Sequence, residues 1–317
     1  MVHMSFPAAE GVRITWDDIP LSVRAEIEAR LGSPVVAAAS QPGGFSPGLA
    51  SKLRTADGQV VFVKAASPAQ NPRTPCLHRR EAAIVAALPP GVPVPRFHWS
   101  YDDGEWIVLA FDAIDGANPH VPWRADELAR VLDAARDLAE RLTPTPLDLD
   151  AAGAALRAMF GKWAVLPGSD LEARVAPMWR ERVDVLVELE AGMVDAVAGT
   201  TLLHGDMRAD NIVCTDDLCY FVDWSGAAVG ARWVDLVLML PCIAMQGGGD
   251  PEAIWRAHPL SSGVDDEALD ALLAGMVGYL MCSALERPLP GLPTLRAFQG
   301  GQGVEAGHWL ARRRGWE

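Results

Sequence analysis

Lysine is the scarcest charged residue in this 317-residue chain. The sequence holds three lysines beside 24 arginines, and the lysines are Lys52, Lys64 and Lys162. Such a preference for arginine reflects genome base composition, so each lysine that is present is informative. Lys64 stands out among the three because it ends an apolar run typical of a β-strand.

Long apolar runs and leader-like segments are also lacking. No stretch of about 18 or more apolar residues occurs, which argues against a membrane-spanning helix. Residues 1–5 show no basic segment followed by an apolar one, so we expect no secretory signal and a cytoplasmic location. The formal net charge of −14 argues against a nucleic-acid partner, because such partners attract clustered cations. We therefore expect neither a membrane nor a nucleic acid as a partner.

Cysteine is sparse and follows no recognisable pairing pattern. The five cysteines are Cys76, Cys214, Cys219, Cys242 and Cys282. Their odd number and the absence of any C-x-x-C pair predict reduced, mostly buried thiols. Cys214 and Cys219 flank a turn and could approach each other, but nothing in the sequence demands a bridge. The histidines show no metal-ligand spacing, which argues against a zinc site.

Charge is unevenly distributed along the chain. Residues 1–110 contain ten acidic and ten basic side chains, whereas residues 111–317 contain 31 acidic and 17 basic ones. The acidic excess has two readings: a solvated surface that aids solubility, or a cleft that attracts cations. Half of the residues are hydrophobic, which is enough to build one two-lobed unit or two modest domains.

The first third of the chain reads as a small sheet with one helix. Two Asp-Gly turns, at residues 57–58 and 103–104, lie between runs rich in β-branched and aromatic residues, which predicts two hairpins. The segment 78–88 between the hairpins reads as a helix that ends before two prolines. Together with a helix at 21–31 and a strand at 35–39, these signals predict a β-rich lobe.

After residue 116 the pattern becomes helical. One apolar face with helical period runs from residue 128 to residue 142. Further helices are predicted at 151–162, 171–197, 265–283 and 293–313. A compact β-rich piece, residues 202–222, lies between the helices predicted at 171–197 and 265–283. The chain is therefore expected to consist of a sheet-rich lobe, a short connection and a large helical lobe.

The β-rich piece carries the residues that point to chemistry. His204, Gly205 and Asp206 follow one strand-like run, Asn211 lies five residues further on, and Asp223 ends the next run. A hairpin would bring the two aspartates and the asparagine together. Carboxylate and amide oxygens suit Mg²⁺, which takes one or two protein ligands and completes its shell with substrate phosphates. Such a set fits phosphoryl transfer, which depends on positioning and on neutralisation of charge.

The order Asp206, Asn211, Asp223, with a tryptophan after the last aspartate, resembles the catalytic and metal loops of aminoglycoside phosphotransferases and related small-molecule kinases. The resemblance implies that Asp206 is the catalytic base and that Asn211 and Asp223 bind the metal. It also implies a bilobal, protein-kinase-like α+β fold. Residues 1–110 would form a small β-rich nucleotide-binding lobe, and residues 111–317 a large helical lobe for catalysis and acceptor binding.

The same resemblance assigns nucleotide-binding residues to the first lobe. Lys64 would hold the α- and β-phosphates and pair with Glu81 on the following helix. Gly44 and Ser46 lie in a glycine-rich loop, 43–48, that would cover the triphosphate, since glycines let backbone N–H groups approach phosphate. This loop departs from the protein-kinase G-x-G-x-x-G pattern, and no G-x-x-x-x-G-K-[ST] motif occurs, which argues against a P-loop fold.

Two further assignments concern the link between the lobes and the catalytic loop. Residues 109–114 would form the hinge whose backbone meets the nucleobase, with Phe111 and Ala113 as the contacts. Asp235 resembles the family aspartate that braces the catalytic loop from a following helix. Arg208 has two readings from sequence, since it could face phosphate or pair with Asp210.

The expected cofactors are Mg²⁺ and ATP, with GTP as the alternative nucleotide. The expected partners are a nucleoside triphosphate and a small hydroxylated acceptor, which the acidic excess predicts to carry an amine. The acceptor class stays open among antibiotics, amino sugars, nucleosides and alcohols such as choline. A nucleotide-binding pseudokinase is the alternative from another class. A protein kinase is disfavoured because no A-P-E segment follows Asp223.

Overall fold

The computed structural model describes residues 6–316. We expect no secretory signal from the sequence of residues 1–5, and these residues lie outside the part of the chain that the structure describes. A helix, α1 (Leu21–Leu31), precedes a five-stranded antiparallel sheet with the spatial order β1-β2-β3-β5-β4. The strands are β1 (Val35–Ser40), β2 (Leu49–Thr55), β3 (Val60–Ala66), β4 (Phe97–Asp102) and β5 (Ile107–Asp112).

Both predicted hairpins form. Gly58 links β2 to β3 with φ at 89°, and Gly104 links β4 to β5 with φ at 92°. A positive φ is the conformation for which glycine is the favoured residue, and it explains the Asp-Gly signal at both turns. Between the hairpins lies α2 (Thr74–Ala87). This helix begins one turn earlier than predicted, with Pro75 in its first turn.

Side chains alternate between the two faces of this sheet, as the period of two in a strand requires. On β3, Val61 and Val63 point into a core that includes Ile27 of α1. Phe62 and Lys64 lie on the opposite face, toward the helical lobe. The alternation therefore delivers the Lys64 side chain to the space between the lobes.

The second lobe is helical and has one large core. Its helices are α3 (Ala125–Arg141), α4 (Ala152–Met159), α5 (Pro177–Arg180), α6 (Val183–Ala191), α7 (Met193–Ala196), α8 (Val234–Met245), α9 (Pro251–Ala257), α10 (Asp266–Leu285) and α11 (Leu295–Arg314). The single helix predicted at 171–197 is instead divided into α5, α6 and α7. The α+β architecture with two lobes agrees with the prediction.

Helix α10 is the one described helix long and apolar enough to cross a membrane by length and composition. In this fold 72 % of its most apolar window is buried, and it packs against α6, α8 and α11. Its amino end is polar. Asp265 caps the helix, Asp266 pairs with Arg256 and Arg313, and Glu267 pairs with Arg314. These features are those of a core helix of a globular lobe.

Four short strands position the catalytic segment. They are β6 (Thr201–Leu203), β7 (Ile212–Cys214), β8 (Cys219–Phe221) and β9 (Ala228–Gly230), with β6 paired to β9 and β7 paired to β8. Cys214 and Cys219 are opposite each other in the β7–β8 ladder and form a disulfide. The prediction of five reduced thiols is therefore wrong for this pair, because the ladder register brings the two side chains together. Cys76 is also exposed rather than buried.

Candidate active site

A cleft of about 390 Å³ separates the two lobes and receives residues from both. Gly44, Ser46 and Lys64 line it from the first lobe, and Asn211 and Asp223 line it from the second. The structure thus gathers most of the predicted site residues around one cavity. Their roles as nucleotide and metal ligands stay predictions, which the geometry below supports.

The remaining two predicted polar residues lie at the edges of this cleft. Glu81 lines a smaller adjoining cavity together with Lys64 and Asp223. Asp206 lies beside Asn211, whose Nδ2 donates to the Asp206 carboxylate at 3.1 Å. The Asp206 side chain is 44 % exposed, so it is open to an incoming molecule.

Lys64 forms the charged contact that joins the lobes. Its Nζ lies 2.8 and 2.9 Å from the two carboxylate oxygens of Glu81 and 3.7 Å from Oδ1 of Asp223. Burial lowers the pKa of Lys64, but the negative charges of Asp223 and Glu81 outweigh burial and raise it above its ordinary value. Lys64 therefore stays protonated and can neutralise phosphate charge.

His78 is a neighbour of this pair that the sequence argument did not assign. It lies one helical turn before Glu81 on α2, lines the main cleft, and is 2 % exposed. Its Nδ1 is buried without a hydrogen-bond partner. Burial, reinforced by the charge of Lys64, lowers the pKa of His78 to about 3, so the imidazole is neutral. The three-residue spacing from Glu81, which places both on one helix face, was the available signal.

The predicted catalytic loop, residues 204–211, is braced by Asp235 on α8. Its two carboxylate oxygens accept hydrogen bonds from the backbone N–H groups of His204, at 2.7 Å, and Gly205, at 2.8 Å. Gly205 has φ at 79°, and a Cβ there would lie 2.3 Å from the carbonyl oxygen of Gly226. The loop therefore requires glycine at position 205. Asp235 is the structural brace that the resemblance implied.

Arg208 pairs with Asp210, which was one of the two interpretations left open by the sequence. Its guanidinium donates to Asp206 Oδ1 and makes two hydrogen bonds to Asp210, at 2.8 and 3.0 Å. Desolvation in the cleft raises the pKa of Asp206 to about 6, with the charges of Asp210 and Asp223 acting in the same direction and Arg208 opposing them. Arg208 thus holds the predicted base in one orientation.

Asp223 is the only non-glycine residue among 6–316 with a positive φ, at 66°. Aspartate tolerates this left-handed conformation better than most residues, and such strain collects at functional sites. The conformation directly follows β8 and turns the carboxylate toward Lys64. Desolvation alone would raise the pKa of Asp223, but opposing positive charge, chiefly that of Lys64, lowers it to about 2.

The residues present fit a magnesium ion. Nδ2 of Asn211 donates to Asp206, which leaves the amide oxygen without a hydrogen-bond donor among the described residues. Asp223 supplies an ionised carboxylate on the same cleft. One carboxylate and one amide oxygen match the sparse protein coordination of Mg²⁺. Among residues 6–316, the cleft included, no group of three or more His, Cys, Asp and Glu residues could hold a metal, so the fit rests on this one carboxylate and one amide.

The glycine-rich loop is held down on the second lobe. Phe45, at its tip, meets Phe298 of α11 edge to face, with 5.2 Å between the ring centroids. The guanidinium of Arg208 lies over both rings, at 5.5 and 6.0 Å from their centroids. Gly43 and Gly44 have positive φ values of 96° and 78°. The loop is therefore bent over the cleft in the position predicted for a phosphate cover.

The predicted hinge, residues 109–114, lies beside the cleft, and its backbone contacts with a nucleobase stay a prediction. Phe111 packs against Phe97 at 5.5 Å and faces the smaller cavity, and Ala113 does not line the main cleft. Asp112 and Ile114 line it instead, as expected one position along an extended chain. Lys52 also reaches this region, where its Nζ donates to the Ile114 carbonyl at 2.8 Å.

The fold resembles solved kinase structures of low sequence identity. An aminoglycoside phosphotransferase from Alicyclobacillus acidocaldarius is 13 % identical, with a TM-score of 0.54, over 91 % of this chain and 95 % of that one. For the choline kinase LicA from Streptococcus pneumoniae the values are 12 %, 0.60, 92 % and 98 %. For aminoglycoside phosphotransferase APH(4)-Ia, in a ternary complex with ADP and hygromycin B, they are 12 %, 0.56, 93 % and 97 %.

These likenesses show a bilobal, protein-kinase-like fold. No curated protein matches the chain. A family model described as "Phosphotransferase enzyme family" matches residues 44–273. This match covers most of the chain and includes the glycine-rich loop, the lysine–glutamate pair and the catalytic loop. The protein therefore belongs to the phosphotransferase enzyme family.

Proposed function

We propose that this phosphotransferase moves the γ-phosphate of ATP, or alternatively of GTP, to a hydroxyl group of a small molecule. One observation carries the proposal: Lys64, paired with Glu81, lies 3.7 Å from Asp223 across the cleft between the lobes. A protonated lysine and an ionised aspartate on opposite walls supply a phosphate ligand and a metal ligand at one place. The glycine-rich loop covers the same cavity.

In the proposed reaction the acceptor hydroxyl attacks the γ-phosphorus. Its oxygen forms the new O–P bond, its proton passes to the Asp206 carboxylate, and the bond between the γ-phosphorus and the bridging oxygen breaks to release the nucleoside diphosphate. Arg208 and Asn211 orient the carboxylate for this step. When bound, Mg²⁺ would neutralise charge on the phosphate oxygens, with Asn211 and Asp223 as its protein ligands.

The chemical identity of the acceptor is less constrained than that of the nucleotide. The acidic excess of residues 111–317 predicts an amine-bearing acceptor, but Asp265, Asp266 and Glu267 within that excess cap α10 or pair with arginines. These three carboxylates therefore do not support a cationic substrate. Preference for an amine stays a prediction. We also propose a cytoplasmic location, because nucleoside triphosphates are made there.

The proposal is tested by ADP release in the presence of Mg²⁺ and ATP against a panel of hydroxylated compounds. The panel contains aminoglycosides, other hydroxylated antibiotics, amino sugars, nucleosides and choline, and mass spectrometry checks each candidate product for one added phosphate. Matched amine-bearing and neutral members, compared by kcat/KM at low and high salt, test the charge preference. We expect acceptor-dependent ADP release with at least one class.

The Asp206→Asn variant, assayed beside the wild type, separates enzyme turnover from contaminating activity. Binding of nucleotide without acceptor-dependent turnover across the whole panel would instead favour the pseudokinase alternative.

A further inference from the structure

The segment of residues 6–14 precedes the part of the chain that matches the family model, yet it reaches the cleft. It runs beside the glycine-rich loop, with parallel bridges from Glu10 to Gly44 and from Arg13 to Gly48. It also contacts the second lobe, where the N–H of Val12 donates to the Gly291 carbonyl at 2.8 Å. This segment therefore lies across both lobes at the mouth of the nucleotide cleft.

Arg13 is the residue of this segment that enters the cleft. Its two Nη atoms donate to the carbonyl oxygens of Gly43 and Ser46 in the glycine-rich loop. The guanidinium lines the same cavity as Lys64 and Asp223. Its Nε is buried and has no hydrogen-bond partner, so the donors of this side chain are not all used by the loop.

Arg13 and Lys52 line the cleft and, unlike Lys64, form no salt bridge with a carboxylate of residues 6–316. Lys52 donates to the Ile114 carbonyl, whereas Arg13 keeps a buried N–H group without a partner. Desolvation lowers the pKa of Arg13, although the more distant Asp223 and Asp210 act in the opposite sense. A partly buried cation without a partner costs free energy, and an anion entering the cleft would offset that cost.

We propose that Arg13 is a second cationic ligand of the nucleotide, and that it binds the terminal phosphates beneath the glycine-rich loop. This inference rests on the proposed function, because it takes a nucleoside triphosphate as the occupant of the cleft. The terminal phosphates are favoured because Arg13 lines the same cavity as Asp210 and Asp223, on the side of the predicted catalytic residues. Its planar fork can hold the loop carbonyls and still offer an N–H group to a phosphate oxygen.

The experiment measures binding of ATP, ADP and adenosine by calorimetry in the presence of Mg²⁺. The variants are Arg13→Gln, which removes the charge, and Arg13→Lys, which keeps it without the fork. Arg54→Gln is the matched control, since Arg54 is exposed on β2 outside the cleft. Thermal unfolding of each variant checks that the fold is kept.

Arg13→Gln removes a hydrogen bond between a charged guanidinium and a phosphate. We therefore expect it to weaken ATP binding about 10- to 100-fold. The loss should be smaller for ADP and absent for adenosine. Arg13→Lys should recover part of the ATP affinity, and Arg54→Gln should bind all three ligands as the wild type does.

Two results would overturn the inference. Unchanged ATP affinity in Arg13→Gln would show that the residue is no ligand. An equal loss for ATP and adenosine, shared by Arg13→Lys, would show that it only tethers the loop. Failure of the proposed function looks different, because the wild-type protein would then show no acceptor-dependent turnover with ATP or GTP, whether or not it binds nucleotide. If it binds ATP without turnover, the comparison of Arg13→Gln with the wild type still tests the inference.

Discussion

Arg208 and Asp206 form an ion pair inside the catalytic loop, two residues apart in sequence. The pair occupies Oδ1 of the predicted base, while Oδ2 accepts from Asn211 at 3.1 Å. Each carboxylate oxygen has two acceptor sites, so the exposed part of Asp206 can still receive the proton of a hydroxyl group. Both neighbours stabilise the ionised form that a general base requires.

The first prediction concerns this base. Asp206→Asn keeps the shape of the side chain but removes the acceptor for the hydroxyl proton. We expect kcat to fall on the order of 10²- to 10⁴-fold, as for loss of a general base, with nucleotide affinity nearly kept. Steady-state kinetics and calorimetry measure the two quantities. Asp217→Asn, the same change on the exposed β7–β8 turn, is the control, and wild-type turnover in Asp206→Asn would contradict the assignment.

The second prediction concerns the metal. Asp223→Ala should remove the main protein ligand of Mg²⁺, so that Mg²⁺ no longer strengthens nucleotide binding. Alanine is disfavoured at the φ of 66° found here, so Asp223→Asn, which tolerates that conformation, separates loss of charge from backbone strain. Titration of nucleotide with and without Mg²⁺ measures the effect. An undiminished Mg²⁺ effect in both variants would place the metal elsewhere. Asn211→Ala should act in the same direction.

The third prediction concerns Lys64. Lys64→Met keeps the aliphatic stem and removes the charge, so turnover should fall sharply. The change also leaves Glu81 buried without its cation, which should cost about 3–5 kcal/mol of unfolding free energy. Adding Glu81→Gln should restore part of that stability without restoring turnover. Lys162→Met is the control, because Lys162 lies outside the cleft, 3.9 Å from Glu286.

Lys52, the remaining lysine, is unsuitable as a second control because it contacts the hinge carbonyl of Ile114. Equal damage from Lys64→Met and Lys162→Met would contradict a special role for Lys64.

The fourth prediction concerns pH and His78. Its pKa is lowered to about 3 in the folded protein, whereas the unfolded chain binds the proton below about pH 6.5. The unfolded state therefore takes up more protons between these values, and stability falls as pH decreases. Between about pH 7 and about pH 5.5, this one group should lower the unfolding free energy by about 1 kcal/mol.

Urea unfolding at both pH values measures the effect, and His78→Gln should lose about 1 kcal/mol less than the wild type over this range. An identical loss in the two proteins would mean that the pKa of His78 is not lowered in the folded state.

Local signals explain why much of the fold and the site could be predicted. Gly58 and Gly104 mark turns whose conformation depends on the residue itself. Asp206, Asn211 and Asp223 are joined by short connections, so their spacing along the chain largely determines their meeting in space. The prediction of a single helix over residues 171–197 was wrong for the opposite reason. There, Trp179 packs against Trp163 and Trp316, at 6.3 and 6.2 Å, and tertiary packing overrides the helical periodicity.

Residues that act through long-range contacts carried no such signal. Arg13 belongs to no motif, and only the folded chain places it against the loop at Gly43 and Ser46. The Cys214–Cys219 pair depends on the register of β7 and β8, which the sequence left open. Within the predicted hinge, 109–114, the sequence did not indicate that the side chains of Asp112 and Ile114 would face the cleft, because a shift of one residue along a strand reverses the facing side.

Two of the carboxylates predicted to act in catalysis and metal binding are each in contact with a side-chain cation. Lys64 spans the lobes to Asp223, and Arg208 covers Asp206. Lys64 thus takes the place of a metal cation beside Asp223, and Asp223 takes the place of a phosphate anion beside Lys64. For the pair of Lys64 and Asp223, entry of a nucleotide with its metal would therefore be an exchange of partners, whereas for Arg13 it would supply the first anionic partner. Such pairing lets the protein keep strongly charged groups close together in a shielded cleft.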